Sequence, residues 1–320
     1  MPDLYTKKFI ILPQNAIATA GSCFAQHIAV RLRAAGYSVV DVEPAPPGVD
    51  PSEARAAQYG VYSARFGNIY YVRQLLQLAR EVLEGREPGE VVWEREGRYY
   101  DALRPSVMPG GYDSPEQVLA HRRSHLRAVR RLFETTDVFI FTMGLTEAWE
   151  LVDDGTVFPT APGTIAGDYD PARYALKNLN YQEIVSDFIA FRLLVKRVRP
   201  RMRFILTVSP VPLAATATEQ HVLTATAYSK AVLRAAAGEI ERRCRDVDYF
   251  PSYEIVTSNF IGNDAFGPSG RDVRPEAVER VMTYFFAQHP ASTARPSEVE
   301  TIGDVEEIFC EDALLEVFAE

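Results

Sequence analysis

Short apolar segments alternate with helical segments along most of this chain, and this alternation is the feature that most limits its fold. Nearly continuous apolar runs occur at residues 16–20, 138–142 and 204–208. The segments between them carry apolar residues at helical spacing. Continuous apolar strands separated by helices are typical of a parallel sheet that is covered on both faces. We therefore predict a three-layer α/β sandwich with its ligand site beyond the carboxyl ends of the strands.

Turn and capping residues divide the rest of the chain. Glu96 and Gly97 separate two short segments and predict a small inserted hairpin over residues 91–100. Ser114, followed by proline, predicts the start of a long basic helix that runs to about residue 135. The other predicted strands cover residues 38–42 and 247–255, a loop covers residues 159–171, and the other helices cover residues 24–35, 69–83, 181–198, 224–243 and 275–286.

The composition fits a folded body with an acidic end. The chain has 320 residues, of which 47% are hydrophobic, and a net charge of -9. This composition excludes an intrinsically disordered protein. The last thirty residues contain nine acidic residues and one basic residue and carry -8 of this charge. We predict one domain over residues 1–290 and a solvated acidic tail over residues 291–320, with docking of the tail on the body or a partner as the alternative.

Several functional classes are excluded by composition. The acidic balance argues against nonspecific nucleic-acid binding. No uncharged apolar run of about 20 residues is present, so we expect no membrane span. The first residues lack the apolar core of a secretory signal, and three cysteines are too few for a disulfide framework, which together predict a cytoplasmic protein. No spacing is typical of a metal site or a nucleotide-binding glycine loop, so we expect neither metal nor cofactor.

The turn after the first strand carries the strongest candidate for chemistry. Residues 21–25 read Gly-Ser-Cys-Phe-Ala, where a predicted strand passes into a helix. A nucleophile at such a turn is exposed at the sheet edge, and the amides of the helix start favour an anion beside it. From the spacing alone, Ser22 could equally be a helix cap and Cys23 a small buried side chain.

The same five residues spell the motif that names the GSCFA-domain family, and the resemblance extends along the chain. Later segments resemble the other blocks of that family: residues 63–70, 141–149, 206–213 with 227–230, and 249–255. The GSCFA family is similar to the SGNH or GDSL hydrolases. The resemblance therefore implies a flavodoxin-like α/β sandwich and esterase or acyltransferase chemistry.

The resemblance also implies a nucleophile. When Gly21 is aligned with the glycine of the Gly-Asp-Ser motif of SGNH enzymes, Cys23 takes the nucleophile position, and a shift of one residue gives Ser22 instead. We prefer Cys23, because a thiolate needs less activation than a serine alkoxide.

Oxyanion donors follow from the second and third blocks. Gly67 or Asn68 corresponds to the first of them. Thr146 and Glu147 stand where SGNH enzymes have an asparagine, and an ionised carboxylate cannot donate a hydrogen bond. Either Thr146 donates, Glu147 is protonated, or the oxyanion hole is built differently.

The general base of the SGNH pattern is missing. Arg271 and Arg274 stand where the Asp and His of Asp-x-x-His are expected. Arginine stays protonated and cannot act as a base. Asp272 is nearby, although a carboxylate at that place is a poorer match.

A histidine elsewhere is the expected substitute. His221, just beyond a strand end, is our first choice, oriented by Glu147 or Asp272. His27 lies one helical turn after Cys23 and could contact it. Each of the two could instead be a solvent-facing or packing residue. His121 and His289 are expected on the surface. His125 lies on the basic helix, which is expected to be a solvated face, with binding of an anionic substrate as the alternative.

We therefore predict acyl-ester chemistry through a covalent acyl-enzyme, as hydrolysis or as O-acyl transfer, on a small-molecule or carbohydrate ester. Trp149 and Tyr70 could stack on a sugar ring, although core packing is the more common role of such residues. The alternative is a catalytically degenerate SGNH-like module that binds glycans or a protein. A third possibility is an acyltransferase with a thioester donor. The sequence makes no prediction of the oligomeric state.

Overall fold

The main sheet of the protein has four parallel strands. The computed structural model describes residues 3–258 and 264–290. Within them the sheet runs in the order β1 (Ile17–Gly21), β4 (Val138–Met143), β8 (Arg203–Val208) and β9 (Val247–Tyr249). All pairings are parallel, and β1 and β4 are buried along their whole length.

Helices cover both faces of this sheet. On β4, Phe139 and Phe141 face one layer, while Val138 and Ile140 face the other. The first layer contains α3 (Val72–Glu84), α4 (Pro115–Thr135), α5 (Tyr181–Lys196) and α6 (Val222–Arg243). The second contains α1 (Phe24–Ala34), α7 (Ser252–Thr257) and α8 (Pro275–Gln288). The predicted three-layer α/β sandwich is thus confirmed.

Short-range signals set the starts of the long helices. The Ser114 hydroxyl caps α4 by accepting from the amide of Gln117 at 3.4 Å. Asn180 and Glu183 form a reciprocal capping box at the start of α5. In contrast, no side chain caps α1, so its first amides stay available. The described residues also contain two short helices: α2 (Pro51–Ala56) and a 3₁₀ turn (Pro105–Val107).

The edge strand predicted at residues 38–42 is reduced to a single bridge at Val39. Beyond this bridge, a later segment of the chain occupies the edge of β1. There the amide of Ser63 donates to the carbonyl oxygen of Thr19 (3.4 Å), and the Ser63 hydroxyl accepts from the Thr19 amide (2.9 Å). The second sequence block therefore runs beside the first strand, which the sequence pattern did not predict.

The last predicted strand, residues 247–255, is also shorter than expected. β9 ends at Tyr249, and the amide of Phe250 makes the final ladder bond, to the carbonyl oxygen of Leu206 (2.8 Å). Pro251 follows, and proline has no N–H to continue a ladder. The chain turns into α7 at this point.

The predicted inserted hairpin is present as β2 (Val92–Arg95) and β3 (Arg98–Asp101). Its two turn residues, Glu96 and Gly97, both have positive φ, as a tight type I′ turn requires.

A small antiparallel sheet that the sequence did not predict packs beside this hairpin. It has the order β6 (Val157–Phe158), β5 (Glu147–Leu151) and β7 (Tyr174–Asn178). Trp93 of the hairpin packs with Phe158 and Tyr174 of the small sheet in a separate apolar cluster.

A buried ionic network joins α4 to the hairpin. Asp101 accepts hydrogen bonds from Arg104 (2.7 Å) and Arg122 (2.9 Å), and all three side chains are buried. Burial would raise the pKa of the Asp101 carboxyl, but the two guanidinium groups outweigh it and hold that pKa below its usual range. One face of the basic helix is therefore buried rather than solvated.

The surface position expected for His125 is wrong for the same reason. Its imidazole is 1% exposed and contacts Glu43 Oε2 at 2.7 Å. Burial, helped by the charge of Arg104, lowers the pKa of His125 to about 4. His121 lies on the exposed side of α4, as predicted.

His289 is also buried, although the sequence predicts a surface position. Its Nε2 lies 3.0 Å from the hydroxyl of Tyr5, which donates to Asp248 of β9 (2.9 Å). These contacts close the end of the sheet opposite the candidate site.

The predicted acidic tail, residues 291–320, lies outside the described residues. Among the residues that are described, no helix is both long and apolar enough to cross a membrane.

Candidate active site

The turn from β1 into α1 is formed by close packing of two strand ends. Gly21 has a φ of +141°, and a Cβ at this position would lie 2.4 Å from the carbonyl oxygen of Thr142. The amide of Ser22 donates to that same oxygen at 3.1 Å. Glycine alone fits this approach. The turn places Ser22 and Cys23 directly beyond the carboxyl end of β1.

Two amides at the start of α1 have no hydrogen-bond acceptor in the described part of the chain. The amide of Ala25 donates to the carbonyl oxygen of Ser22 (2.8 Å), and that of Gln26 donates to Cys23 (3.1 Å). The amides of Cys23 and Phe24 are left, as the first donors of a helix usually are. They are suitable donors for an oxyanion formed next to Cys23.

The second sequence block packs against this turn. The amide of Ile69 donates to the carbonyl oxygen of Gly21 (2.9 Å). The hydroxyl of Tyr62 lies 3.2 Å from the carbonyl oxygen of Ser22 and 2.5 Å from Asn68 Oδ1. Asn68 is 1% exposed, and its Nδ2 has no acceptor among the residues described. The side-chain amide of Asn68, whose N–H donors are unused among the described residues, is thus connected to the turn through Tyr62.

The third and fourth blocks close the other side. The amides of Gly144 and Leu145 both donate to the carbonyl oxygen of Tyr70 (3.0 and 3.1 Å). A Cβ at Gly144 would lie 3.0 Å from the Cβ of Ser22. From α6, Lys230 Nζ donates to the carbonyl oxygen of Gly144 at 2.7 Å. The ends of β1 and β4, the second block and helix α6 therefore meet at this point.

These elements enclose a small pocket of about 10 Å³ that contains the predicted nucleophiles. Cys23 is 5% exposed and Lys230 is 2% exposed. Lysine is almost never buried to this extent unless it has a partner or a function. The residues around the pocket include Ser22, Cys23, Tyr70, Gly144, Ser209 and Lys230.

A larger cleft of about 190 Å³ adjoins this pocket, and Leu145 lines both. Among the described residues that line it, the one carboxylate is that of Glu147, which is 9% exposed. Glu147 Oε1 accepts from the hydroxyl of Thr216 (2.8 Å), and Oε2 accepts from the amide of Ala217 (3.3 Å). In the described residues no lysine, arginine or histidine pairs with Glu147. Side chains of Tyr71, Trp149, Thr160 and Leu213 also line the cleft.

The model of the GSCFA family matches residues 16–285, a range that includes the turn, the pocket and the cleft. The chain belongs to the GSCFA family. No curated protein and no solved structure gives a significant match to it.

The GSCFA second block contains Gly67, one of the two predicted oxyanion donors. Gly67 has a φ of +69°, and a Cβ there would point at Arg104 (3.4 Å) rather than at the pocket. Its conformation suits the turn before Asn68.

Thr146, the donor predicted from the third block, lies next to α6. Its amide donates to the hydroxyl of Ser229 (3.1 Å), and its own hydroxyl is buried without a partner among the described residues.

Neither of the two histidines predicted as bases lines the pocket of Cys23. His221 is exposed and caps α6, where its Nδ1 accepts from the amide of Leu223 (3.2 Å). His27 is 8% exposed and packs against the ring of Phe24. Burial, with a smaller effect of the Arg31 charge, lowers the pKa of His27 to about 4.

The segment that stands in place of the SGNH Asp-x-x-His motif forms a turn at the start of α8. Asp272 is exposed and accepts from the hydroxyl of Ser269 (2.7 Å). Arg274 pairs with Asp264. Asp272 therefore stabilises this local turn.

Among the described residues, no group of three or more His, Cys, Asp or Glu side chains is arranged to hold a metal ion.

Lys230 also lines the pocket, and the sequence predicted no role for it. A signal for it exists in the pattern of α6, whose buried side is otherwise formed by small and apolar residues with one serine. A lysine in such a stripe is either paired or functional.

Proposed function

We propose that this GSCFA protein transfers acyl groups from an ester, through a thioester on Cys23, to water or to an alcohol. A small-molecule or carbohydrate ester is the substrate class. The observation that supports this proposal is that Cys23 and the buried Lys230 line one pocket beside the free amides of α1. A reducing compartment, the cytoplasm predicted from the few cysteines, would keep the Cys23 thiol free.

In the first half-reaction, Cys23 Sγ attacks the carbonyl carbon of the ester. The Lys230 amine takes the thiol proton, because a desolvated lysine can act as a general base. The carbonyl electron pair moves to oxygen, and the amides of Cys23 and Phe24 with Asn68 Nδ2 donate to this oxyanion. When the tetrahedral intermediate collapses, the bond to the ester oxygen breaks, and the leaving alcohol takes the proton from Lys230.

In the second half-reaction, the hydroxyl of water or of an alcohol attacks the thioester. Lys230 takes the hydroxyl proton, the new carbon–oxygen bond forms, and the carbon–sulfur bond breaks. Cys23 Sγ then regains the proton from Lys230. Hydrolysis and transfer differ only in the acceptor.

The test is the mass of the intact protein after incubation with p-nitrophenyl acetate. We expect one acetyl adduct, which is lost in Cys23→Ala and kept in Ser22→Ala. Lys230→Met should slow adduct formation by about 10²-fold or more, the usual effect of losing a general base. A loss in Ser22→Ala alone would make Ser22 the nucleophile, a loss in His221→Ala would return the base to His221, and no adduct in the wild type would overturn the proposal.

A binding function without turnover is the second candidate, and Arg274 is the observation that favours it. Arginine replaces the histidine of the SGNH pattern, and its guanidinium is held by Asp264. A degenerate site would bind a glycan or a protein through the cleft beside Leu145. Turnover that disappears in Cys23→Ala would exclude this function.

A further inference from the structure

The cleft beside the nucleophile pocket contains a carboxylate without a counter-ion. Glu147 is 9% exposed, and within the described ranges its two oxygens accept only from the neutral groups of Thr216 and Ala217. No cationic side chain pairs with it within residues 3–258 and 264–290. Burying an ionised carboxylate is costly unless an opposite charge compensates it. The arrangement is therefore complementary to a positive charge supplied by a ligand.

The walls of the cleft favour the same kind of ligand. Trp149 and Tyr71 line it, and aromatic faces attract cations. Thr160 also lines it, and its buried hydroxyl has no partner among the described residues. This hydroxyl can bind a polar group of the same ligand. A small molecule with an ammonium group and hydroxyl groups satisfies all three features.

The position of the cleft assigns this ligand to the second half-reaction. Leu145 lines both the cleft and the pocket of Cys23, so a molecule in the cleft lies next to a thioester on Cys23. The opposite side of the β5 strand is different, because Glu150 faces a separate cleft and has Arg73 3.9 Å away. The unpaired carboxylate is thus specific to the side that adjoins the nucleophile.

We propose that the cleft is the acceptor subsite and selects an alcohol that carries a positively charged amino group, held by Glu147. This inference rests on the proposed acyl transfer. The acceptor hydroxyl attacks the thioester, its oxygen forms the bond to the carbonyl carbon, and its proton passes through Lys230 to the leaving sulfur of Cys23. The products are an O-acyl amino alcohol and the free thiol.

The experiment compares two acceptors on one acyl-enzyme. The wild type is acetylated with p-nitrophenyl acetate, and loss of the acetyl group is followed by mass in water, in ethanolamine at neutral pH and in ethylene glycol. We expect ethanolamine to accelerate deacylation about tenfold more than ethylene glycol, the size of effect that a partly desolvated cation contact gives. The ratio of the two rates within each variant removes differences in acylation.

Glu147→Gln should lower this ratio to about one, because the amide keeps the shape of the side chain and loses its charge. Glu150→Gln is the matched control on the same strand and should keep the wild-type ratio. Equal rates for the two acceptors in the wild type, or an unchanged ratio in Glu147→Gln, would overturn the inference.

A binding measurement separates this inference from the proposed function. Ethanolamine is titrated into Cys23→Ala while the indole signals of the two tryptophans are followed by NMR. A shift of the Trp149 signal that ethylene glycol does not cause, and that Glu147→Gln abolishes, supports the cation subsite even if no acetyl adduct forms. An acetyl adduct together with no such shift would leave the acyl transfer standing and overturn the subsite.

Discussion

Gly21 is the residue of the active-site turn that leaves the least room for change. A Cβ there would lie 2.4 Å from Thr142 O and 2.8 Å from Thr142 N, which are backbone atoms of a central strand. Backbone atoms of a packed sheet cannot move aside as a flexible side chain can. The glycine is thus required by the packing of β1 against β4 as well as by its φ.

We predict that Gly21→Ala lowers the free energy of unfolding by about 2–4 kcal/mol, from the clash and the strained backbone together. Gly36→Ala is the control, because Gly36 also has a positive φ (+79°) but an added Cβ would meet nothing within 4 Å. Its cost should be about 1 kcal/mol. Urea unfolding measures both values, and equal losses in the two variants would mean that the approach to Thr142 is not limiting.

Tyr62 connects the backbone of the turn to the Asn68 amide. Its hydroxyl lies within hydrogen-bond distance of Ser22 O and Asn68 Oδ1, and Asn68 Nδ2 remains unused among the described residues. A tyrosine that fixes the oxygen of the amide also fixes the direction of its nitrogen. On the proposed mechanism, Tyr62 is therefore a positioning residue for Asn68.

For Tyr62→Phe we expect acetylation of Cys23 to slow by about tenfold and unfolding to cost about 1–2 kcal/mol less, since a buried hydrogen bond is lost. Tyr59→Phe is the matched control, because its hydroxyl contacts Arg65 at 3.2 Å, away from the pocket. The burst of p-nitrophenol measures acetylation. A slow burst in both variants would point to a general loss of structure rather than to a loss of positioning.

At the scale of elements, the predicted and the unpredicted parts differ in how local their signals are. β4 and β8 are predicted because a central parallel strand is buried on both faces, so the apolar run itself marks them: all of β4 is buried, and so is all of β8 after Arg203. The small sheet is missed because its strands are short, and because β5 and β7 mix polar with apolar residues. Glu147 pairs with Asn178, thirty-one residues away, and nothing near Glu147 in the sequence indicates that partner.

The candidate site shows the same limit. The motif at residues 21–25 and the strand ends at Gly144 and Ser209 are recognisable in the sequence, and the structure brings them to one pocket. The proposed base is harder to predict, because Lys230 reaches the pocket from the middle of α6. The charge pattern of a helix does not say what its buried side faces. For the histidines, the sequence offers only the general tendency of this residue type to be exposed, which does not show which of them lies at the site.

The docking of α4 on the hairpin depends on one buried carboxylate. Asp101 is 2% exposed and holds Arg104 and Arg122. Removing its charge leaves the buried Arg104 without a carboxylate partner among the described residues, and it leaves Arg122 with Glu81 alone. We predict that Asp101→Asn costs about 3–5 kcal/mol of stability. Glu134→Gln, which breaks the exposed pair of α4 with Arg130, should cost less than about 0.5 kcal/mol. Thermal unfolding distinguishes them, and a small loss in Asp101→Asn would show that solvent enters the network.

At the scale of the whole molecule, buried histidines make the fold sensitive to acid. His27 on α1, His125 on α4 and His289 after α8 lie in three separate places, and burial is the first cause that lowers the pKa of each to about 4. All three are neutral in the folded protein near neutral pH. An unfolded chain would protonate them near their ordinary pKa of about 6.5.

The sign of the effect follows from this difference. Above about pH 6.5 neither state binds these protons, so the contribution of the histidines to stability is complete. As the pH falls from 6.5 toward 4, the unfolded chain takes up protons that the folded chain does not, and the contribution is lost. Each histidine then lowers the free energy of unfolding by at most ~1.4 kcal/mol per pH unit. Asp187 and Asp248, whose pKa values burial raises, oppose this trend at the acidic end of the range.

We predict a fall in the free energy of unfolding of about 3–4 kcal/mol per pH unit between pH 6 and pH 5, where the carboxylates titrate little. His125→Asn and His289→Asn should each remove about one third of this slope, and the double variant about two thirds, because the two sites lie in different parts of the fold. Urea unfolding at several pH values measures the slope independently of any constant loss that a substitution causes. A flat profile in the wild type would mean that these imidazoles are protonated in the folded state, and that the contacts of His125 with Glu43 and of His289 with Tyr5 are those of charged rings.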